Sequence, residues 1–215
     1  ASVMIRRYVS LGNTLNATAL SAIGTRYVCL LSATELNKID PNSLKLVSLD
    51  PSACPQATKD ILYAKAKRAF SDQHNLPAYY KLIEPYLGGA PAVDLRALSK
   101  DNVNMNVDTL VKLRRDSLMS LTPSEVQGLL GINLRELTKW QNKSPIREWI
   151  QTRKQSELDK LNIGLTGGTQ EGYININMVT PKFQSPSSAP LGPVAMMLHL
   201  LPALLTSFLM MSILS

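Results

Sequence analysis

Ahead of position 170, apolar residues recur every three to four positions, and the runs are broken by short polar turns containing Pro, Gly, Asn, Asp or Ser. That spacing lays one apolar stripe along a helix of about 3.6 residues per turn, so the pattern predicts a series of short amphipathic helices. One is expected over Thr18 to Leu30. A second opens at Ser32, with Glu35 three positions on as a capping box, and is broken by Asp40, Pro41 and Asn42. Thr58 to Phe70 sets Ile61, Leu62, Ala64, Ala66 and Phe70 among lysines, and Pro77 to Leu87 gathers Tyr79, Tyr80, Leu82, Ile83 and Tyr86 before Gly88 and Gly89. Val107 to Leu118 and Ser144 to Leu161 continue the series. In the latter, Pro145 sits in the first turn, Trp149 and Ile150 face inward and Gly164 closes the helix. Gly167 and Gly168 then open a turn, and Tyr173 to Met178 alternates as a short strand or extended stem would.

Three segments echo one another: LSATEL at Leu31 to Leu36, LSKDNV at Leu98 to Val103 and LTPSEV at Leu121 to Val126. Two pair a hydroxyl residue with a Glu three positions later, and the third, the middle one, is a looser copy. The near-repeats, each with a Leu before its cap although irregularly spaced, suggest stacked helical hairpins that bury their faces against neighbours. The fold class expected is therefore all-α, a superhelical stack of short helical hairpins with an extended segment before a hydrophobic C-terminal tail.

From Ala189 to Ser215 the chain carries no Lys, Arg, Asp or Glu. Ser185, Pro186, Ser187, Ser188, Ala189 and Pro190 form a run of small residues and prolines at its start, and Val194 to Leu214 is mostly Leu, Met, Ala and Val. Small residues, a spacer and an apolar end form the pattern of a glycolipid-attachment signal. Those apolar positions would reach roughly 30 Å as a helix, enough to cross a bilayer, so a retained transmembrane span competes, with a buried core helix third. No basic residue follows Leu214, which favours the glycolipid signal. Ser187 is the first candidate for attachment because the two positions after it are small, followed by Ser185 and Ser188. The division expected is a helical ectodomain over 1–170, a stem and attachment region over 171–188, and a removed signal over 189–215. Ala1 is preceded by no secretion signal, which the tail requires, so the chain reads as the C-terminal part of a longer precursor.

The net charge of +7 falls on the part ahead of the tail. Arg6, Arg7, Lys65, Lys67, Arg68, Arg114, Arg115, Arg153 and Lys154 would suit sialylated or sulfated glycans, acidic proteins or lipid headgroups, or would simply solvate helix faces. An outer-leaflet address argues against nucleic acid. Cys29 and Cys54 are the whole thiol inventory. In a secreted chain an even count favours a disulfide over two buried thiols. His74 is the one histidine ahead of the tail, in the polar stretch SDQHNLP, and reads as a surface turn residue. The chain offers no placed nucleophile and base, no phosphate-cradling glycine loop and no metal-ligand cluster, so no catalytic, metal or cofactor residue is assigned. Asn16 and Asn142 head Asn-x-Ser/Thr triplets and are N-glycosylation candidates, the second followed by Pro145.

The segments RYVCLLSATEL (Arg26 to Leu36), YAKAKRAF (Tyr63 to Phe70), LGGAPAVDLRALSKDNVNM (Leu87 to Met105), KLRRDSLMSLTPSEVQGLLG (Lys112 to Gly131), PIREWIQTRKQSELDKLNIGLTGG (Pro145 to Gly168) and GYININM (Gly172 to Met178) resemble the mesothelin family. The likeness runs from about Gly24 to the tail. It implies an armadillo-like helical solenoid, maturation from a longer precursor and adhesion through a glycosylated surface mucin. It also implies that Cys29 and Cys54 match the family's paired cysteines and that Ser185 lies near the family's attachment serine. The family's mucin-contacting portion lies toward the start of its mature chain and matches no stretch here, so no partner-contacting residue is assigned.

Together these features predict a non-enzymatic, lipid-anchored surface glycoprotein of cell adhesion. The alternatives are a shed regulatory fragment, with Arg6-Arg7 or a mid-helix Arg114-Arg115 as dibasic cleavage sites, and a single-pass membrane protein.

Overall fold

The computed structural model describes residues 2–172 apart from positions 75 and 77, and these lie in one compact unit. They form α1 (Ser2–Ser10), α2 (Ala17–Val28), α3 (Ala33–Leu36), α4 (Gln56–Ala69), α5 (Tyr79–Ile83), α6 (Ala92–Ser99), α7 (Val107–Val111), α8 (Arg115–Ser120), α9 (Pro123–Leu130), α10 (Ile146–Gln151) and α11 (Gln155–Asp159). Tighter 3-10 segments link them at Pro41–Lys45, Pro51–Ala53, Ser71–Gln73, Glu84–Gly89 and Gly131–Trp140. Among the described residues there is no β-strand, only isolated bridges at Leu15–Ile39 and Lys154–Thr169. The all-α class is as expected. The alternating stretch at Tyr173 to Met178 lies outside the described residues.

Both capping boxes form. The Glu35 N–H donates to Ser32 Oγ at 3.3 Å while the Ser32 N–H donates to Glu35 Oε2 at 2.8 Å. Thr122 and Glu125 repeat this at 3.3 and 2.8 Å, with Pro123 at the first position of α9, where its missing N–H costs nothing. Leu31 and Leu121, ahead of the two caps, are buried. The third echo departs from the pattern. Ser99 closes α6, its hydroxyl donating to the Arg96 carbonyl at 2.8 Å, and Asn102 and Asn104 then turn the chain with φ of 48° and 54°. The next helix, α7, is capped instead by Asn106, whose Oδ1 accepts the Thr109 N–H at 2.7 Å.

The expected helices are mostly present but more divided. Thr18 to Leu30 becomes α2, kinked at Gly24, whose φ of 70° lies in the left-handed region. Thr58 to Phe70 is α4. Pro77 to Leu87 shortens to α5 and tightens into a 3-10 turn at Glu84, because Pro85 has no N–H to continue the α ladder. Tyr79 and Tyr86 lie in the core as expected. Val107 to Leu118 breaks into α7 and α8, where extended Arg114 reaches Asp60 at 3.2 Å. Ser144 to Leu161 breaks into α10 and α11. There the backbone is claimed by strand-like pairing: Gln155 N–H donates to Thr169 O at 2.8 Å and Thr169 N–H to Arg153 O at 2.7 Å. Gly164 does not close this helix; α11 ends at Asp159, and Asn162, with φ of 53°, turns the chain first.

The hydrogen bonds between helices share one spacing. Lys65 donates to the carbonyls of Asn37 and Ile39, Lys45 to Asp72, Tyr63 and Lys67 to Asp94, Ser117 to Ala90 O, Arg96 to Ser120 and Trp149 to Leu121 O. Each pair is 24 to 31 residues apart, and Arg153 to Met119 O spans 34. The Arg114–Asp60 bond, 54 apart, covers about two such steps. Successive units thus touch their neighbours, as stacked repeats do. The contacts are close: a Cβ on Gly89 would lie 2.1 Å from Lys59 O, and one on Gly128 would lie 2.2 Å from Ser99 O. One leucine-rich core runs through the stack, with Trp149 and Leu129 fully buried in it.

Candidate functional site

The predicted disulfide is present. Cys29 and Cys54 are bonded, with Cα atoms 4.8 Å apart and a sequence separation of 25. Cys29 ends α2, its N–H donating to the Thr25 and Tyr27 carbonyls. Cys54 is buried after the Pro51–Ala53 turn, which Asp50 caps by accepting the Ser52 N–H at 3.0 Å. That carboxyl lies below its ordinary pKa because Ser52 donates hydrogen bonds to it, helped by the charges of Lys112 and Lys59. The bridge thus clips two neighbouring units whose ends are already fixed locally.

Asn16 is exposed and caps α2, its Oδ1 accepting the Ala19 N–H at 3.0 Å. A glycan would be attached through Nδ2, so capping and modification would use different atoms of one side chain. Asn142 is exposed in the turn after Trp140, where the Lys143 N–H donates to Trp140 O at 2.8 Å and its ammonium lies 5.0 Å from the indole ring. Ser185, Ser187, Ser188 and the apolar tail lie outside the described residues. No helix among the described residues is long and apolar enough to cross a membrane.

The basic residues picked out in the sequence mostly join one unit to another. Lys67 holds Asp94 at 2.7 Å, Arg114 holds Asp60 at 3.2 Å and Arg6 approaches Glu35 at 3.7 Å. Lys65 donates to the carbonyls of Asn37 and Ile39 at 3.1 and 2.9 Å, and Lys154 approaches Glu171 at 3.7 Å. Arg153 is half-buried, donates to Met119 O and lies 6.0 Å from the Trp149 ring; desolvation pulls its pKa down. A cavity of about 200 Å³ beside the Tyr63–Asp94–Lys67 cluster is lined by Tyr79, His74 and Asp101. Burial and the hydrogen bond to Asp94 push the Tyr63 hydroxyl well above its ordinary pKa, so it stays a neutral donor to a carboxylate already held by Lys67. His74 is exposed, with its ring 4.7 Å from that of Tyr79.

The Mesothelin family profile matches residues 1–210. The chain belongs to the mesothelin family. It is 36% identical to mouse mesothelin over 209 residues, covering 95% of this chain and 33% of that protein. It is 38% identical to rat mesothelin over 190 residues, covering 88% and 30%, and 34% identical to human mesothelin-like protein over 176 residues, covering 74% and 25%. The chain thus spans about a third of the length of these mesothelins. The family match also takes in the residues before Gly24, where no likeness was read from the motifs.

Carboxylates between the helices are taken up by structural hydrogen bonds. Asp94 spends its oxygens on Tyr63 and Lys67, and Glu84 Oε1 accepts from Tyr80 and Thr109 at 2.9 and 3.0 Å. No three metal-binding side chains cluster among the described residues. The dibasic pair Arg114-Arg115 is not mid-helix: Arg114 precedes α8 and pairs with Asp60, while Arg115 is exposed at the first position of α8. Residues that the sequence reading missed form the Asn104 turn. There Ile132 N–H donates to Asn104 Oδ1 at 3.1 Å, and Asn133 Nδ2 donates to the carbonyls of Asn104 and Met105 at 2.8 and 3.2 Å. The asparagines between α6 and α7 were the signal for it, since Asn tolerates the left-handed region.

Proposed function

We propose that this mesothelin-family chain is a cell-surface adhesion glycoprotein held in the outer leaflet by a glycosylphosphatidylinositol anchor. Its tail is exchanged for lipid at Ser187, or at its neighbours Ser185 or Ser188. The stacked helices then act as a stiff spacer, glycosylated at Asn16 and, less efficiently because Pro145 follows the triplet, at Asn142. The partner is a glycosylated surface mucin or matrix protein. The observation that carries this reading is the family match, which continues through the small-residue segment into the uncharged tail. A disulfide between neighbouring units supports an oxidising, extracellular setting.

The test is treatment of intact cells with phosphatidylinositol-specific phospholipase C. Release of the chain into the medium, with its helical content unchanged, is expected. Retention on the cells, with tail peptides still detectable, would assign a transmembrane span instead.

A further inference from the structure

Trp140 and Asn142 belong to one tight turn. The Lys143 N–H donates to Trp140 O at 2.8 Å, and Gln141, at φ −54° and ψ −30°, has the geometry of the second position of a type I turn. Trp140 is then the first residue of the turn and Asn142 the third, and Ser144, which completes the glycosylation triplet, follows the last.

Trp140 is half-buried. It packs against the core yet leaves indole surface open to the turn, because the Lys143 ammonium lies 5.0 Å from the ring centroid. Lys143 is itself exposed, so a hydrated ammonium holds that face only weakly. What draws the ammonium there is the negative charge on the face of the ring. A pyranose offers the same attraction over a larger area, since the C–H bonds on one side of the sugar carry partial positive charge and are poorly hydrated. Linked to Asn142 Nδ2, the first N-acetylglucosamine extends about as far as the side chain of Lys143, which reaches the ring from one residue further along. Asn16 lacks this arrangement: Thr14, not an aromatic residue, stands two positions before it, and its Oδ1 is committed to the Ala19 N–H.

We propose that Trp140 is the platform for the glycan on Asn142: the first N-acetylglucosamine stacks on the indole face, displaces the Lys143 ammonium and fixes the direction in which the glycan leaves the stack ahead of α10. The stacking rests on the reading of Asn142 as glycosylated.

The full chain, made in cells whose glycans stay high-mannose, tests the two separately. Thr18→Ala removes the Asn16 triplet and leaves the Asn16 cap in place. Mass spectrometry of the peptide carrying Asn142 reads occupancy, and an unmodified Asn142 would end the glycosylation reading for that site and the stacking with it. On the occupied protein, acrylamide quenching of tryptophan fluorescence reports Trp140, because Trp149, the second of two tryptophans, is fully buried. Trimming with endoglycosidase H, which leaves a single N-acetylglucosamine, should leave the quenching constant unchanged. Complete removal from the untrimmed protein with peptide N-glycosidase F should raise it about twofold, as the covered ring face returns to solvent. Lys143→Ala should not alter quenching of the trimmed form and should raise that of the sugar-free form further, because the ammonium covers the ring only when the sugar is gone. Quenching that rises on trimming to the sugar-free level would give the shielding to the outer sugars and overturn the stacking. Quenching indifferent to complete removal, or a Lys143→Ala effect of equal size with the sugar present, would overturn it as well.

Discussion

Gly128→Ala turns the packing of neighbouring units into a question of sign. Gly128 lies within α9, where alanine is favoured over glycine by about 1 kcal/mol if nothing stands in the way. Here the new methyl would sit 2.2 Å from Ser99 O, with the Ser99 carbonyl carbon at 3.0 Å. Backbone cannot swing aside as a flexible side chain can, so α9 and the end of α6 must separate by about 1 Å to restore an ordinary contact. That gap would open between Leu95 and Leu98 on one side and Val126 and Leu129 on the other, all buried. Overpacking of this kind costs about 3 kcal/mol at the upper end of its usual range, leaving a net loss of about 2 kcal/mol after the helix gain. For a domain of this size the loss corresponds to a fall in Tm of about 4 to 8 °C. Urea unfolding followed by far-ultraviolet circular dichroism measures it, with an unchanged m-value showing that the two-state comparison holds. A variant as stable as the wild type, or more stable, would mean that α6 and α9 do not meet as described.

Other outcomes follow from the same packing. Trp149→Phe removes the donor to Leu121 O, a buried bond of 2.9 Å, and shrinks a fully buried side chain; a loss of about 3 kcal/mol in denaturant unfolding is expected. Replacing Cys29 and Cys54 together by serine should cost about 3.5 kcal/mol for a loop of this length, read as a lower midpoint in non-reducing urea titration. Glu35 lies below its ordinary pKa because the Ser32 N–H and hydroxyl both donate to it, with Arg6 helping and desolvation opposing. A depressed folded-state pKa gives stability that is complete above the unfolded value of about 4.3 and is lost as pH falls through the lower folded one. Acid titration of Glu35→Gln should therefore show a shallower loss of stability below about pH 4.3 than wild type.

The helical class was legible because apolar periodicity survives even where the helices themselves break. Ser32 with Glu35 and Thr122 with Glu125 could be read outright, since a capping box is a local device using only residues three apart. LSKDNV misled because the same residue types also suit a helix end, and the asparagines that follow turn the chain at positive φ. The breaks at Arg114 and Lys154 were not visible, because they depend on Asp60 and Thr169, which are distant in sequence. Charge was legible only as a total. That Lys65, Lys67 and Arg114 hold neighbouring units together required the fold. The paired cysteines were predicted correctly because only one pairing was available. The modification sites are legible only as sequence motifs, with Asn16 at the exposed N-cap of α2 and Asn142 on an exposed turn.

The central claim is that the uncharged tail is removed and replaced by lipid. Mass spectrometry of the C-terminal peptide of the protein purified from cell membranes tests it most directly. The account predicts a peptide ending at Ser187, or at Ser185 or Ser188, carrying the ethanolamine phosphate and glycan remnant of the anchor. Peptides from 189–215 still joined to the mature chain would contradict it.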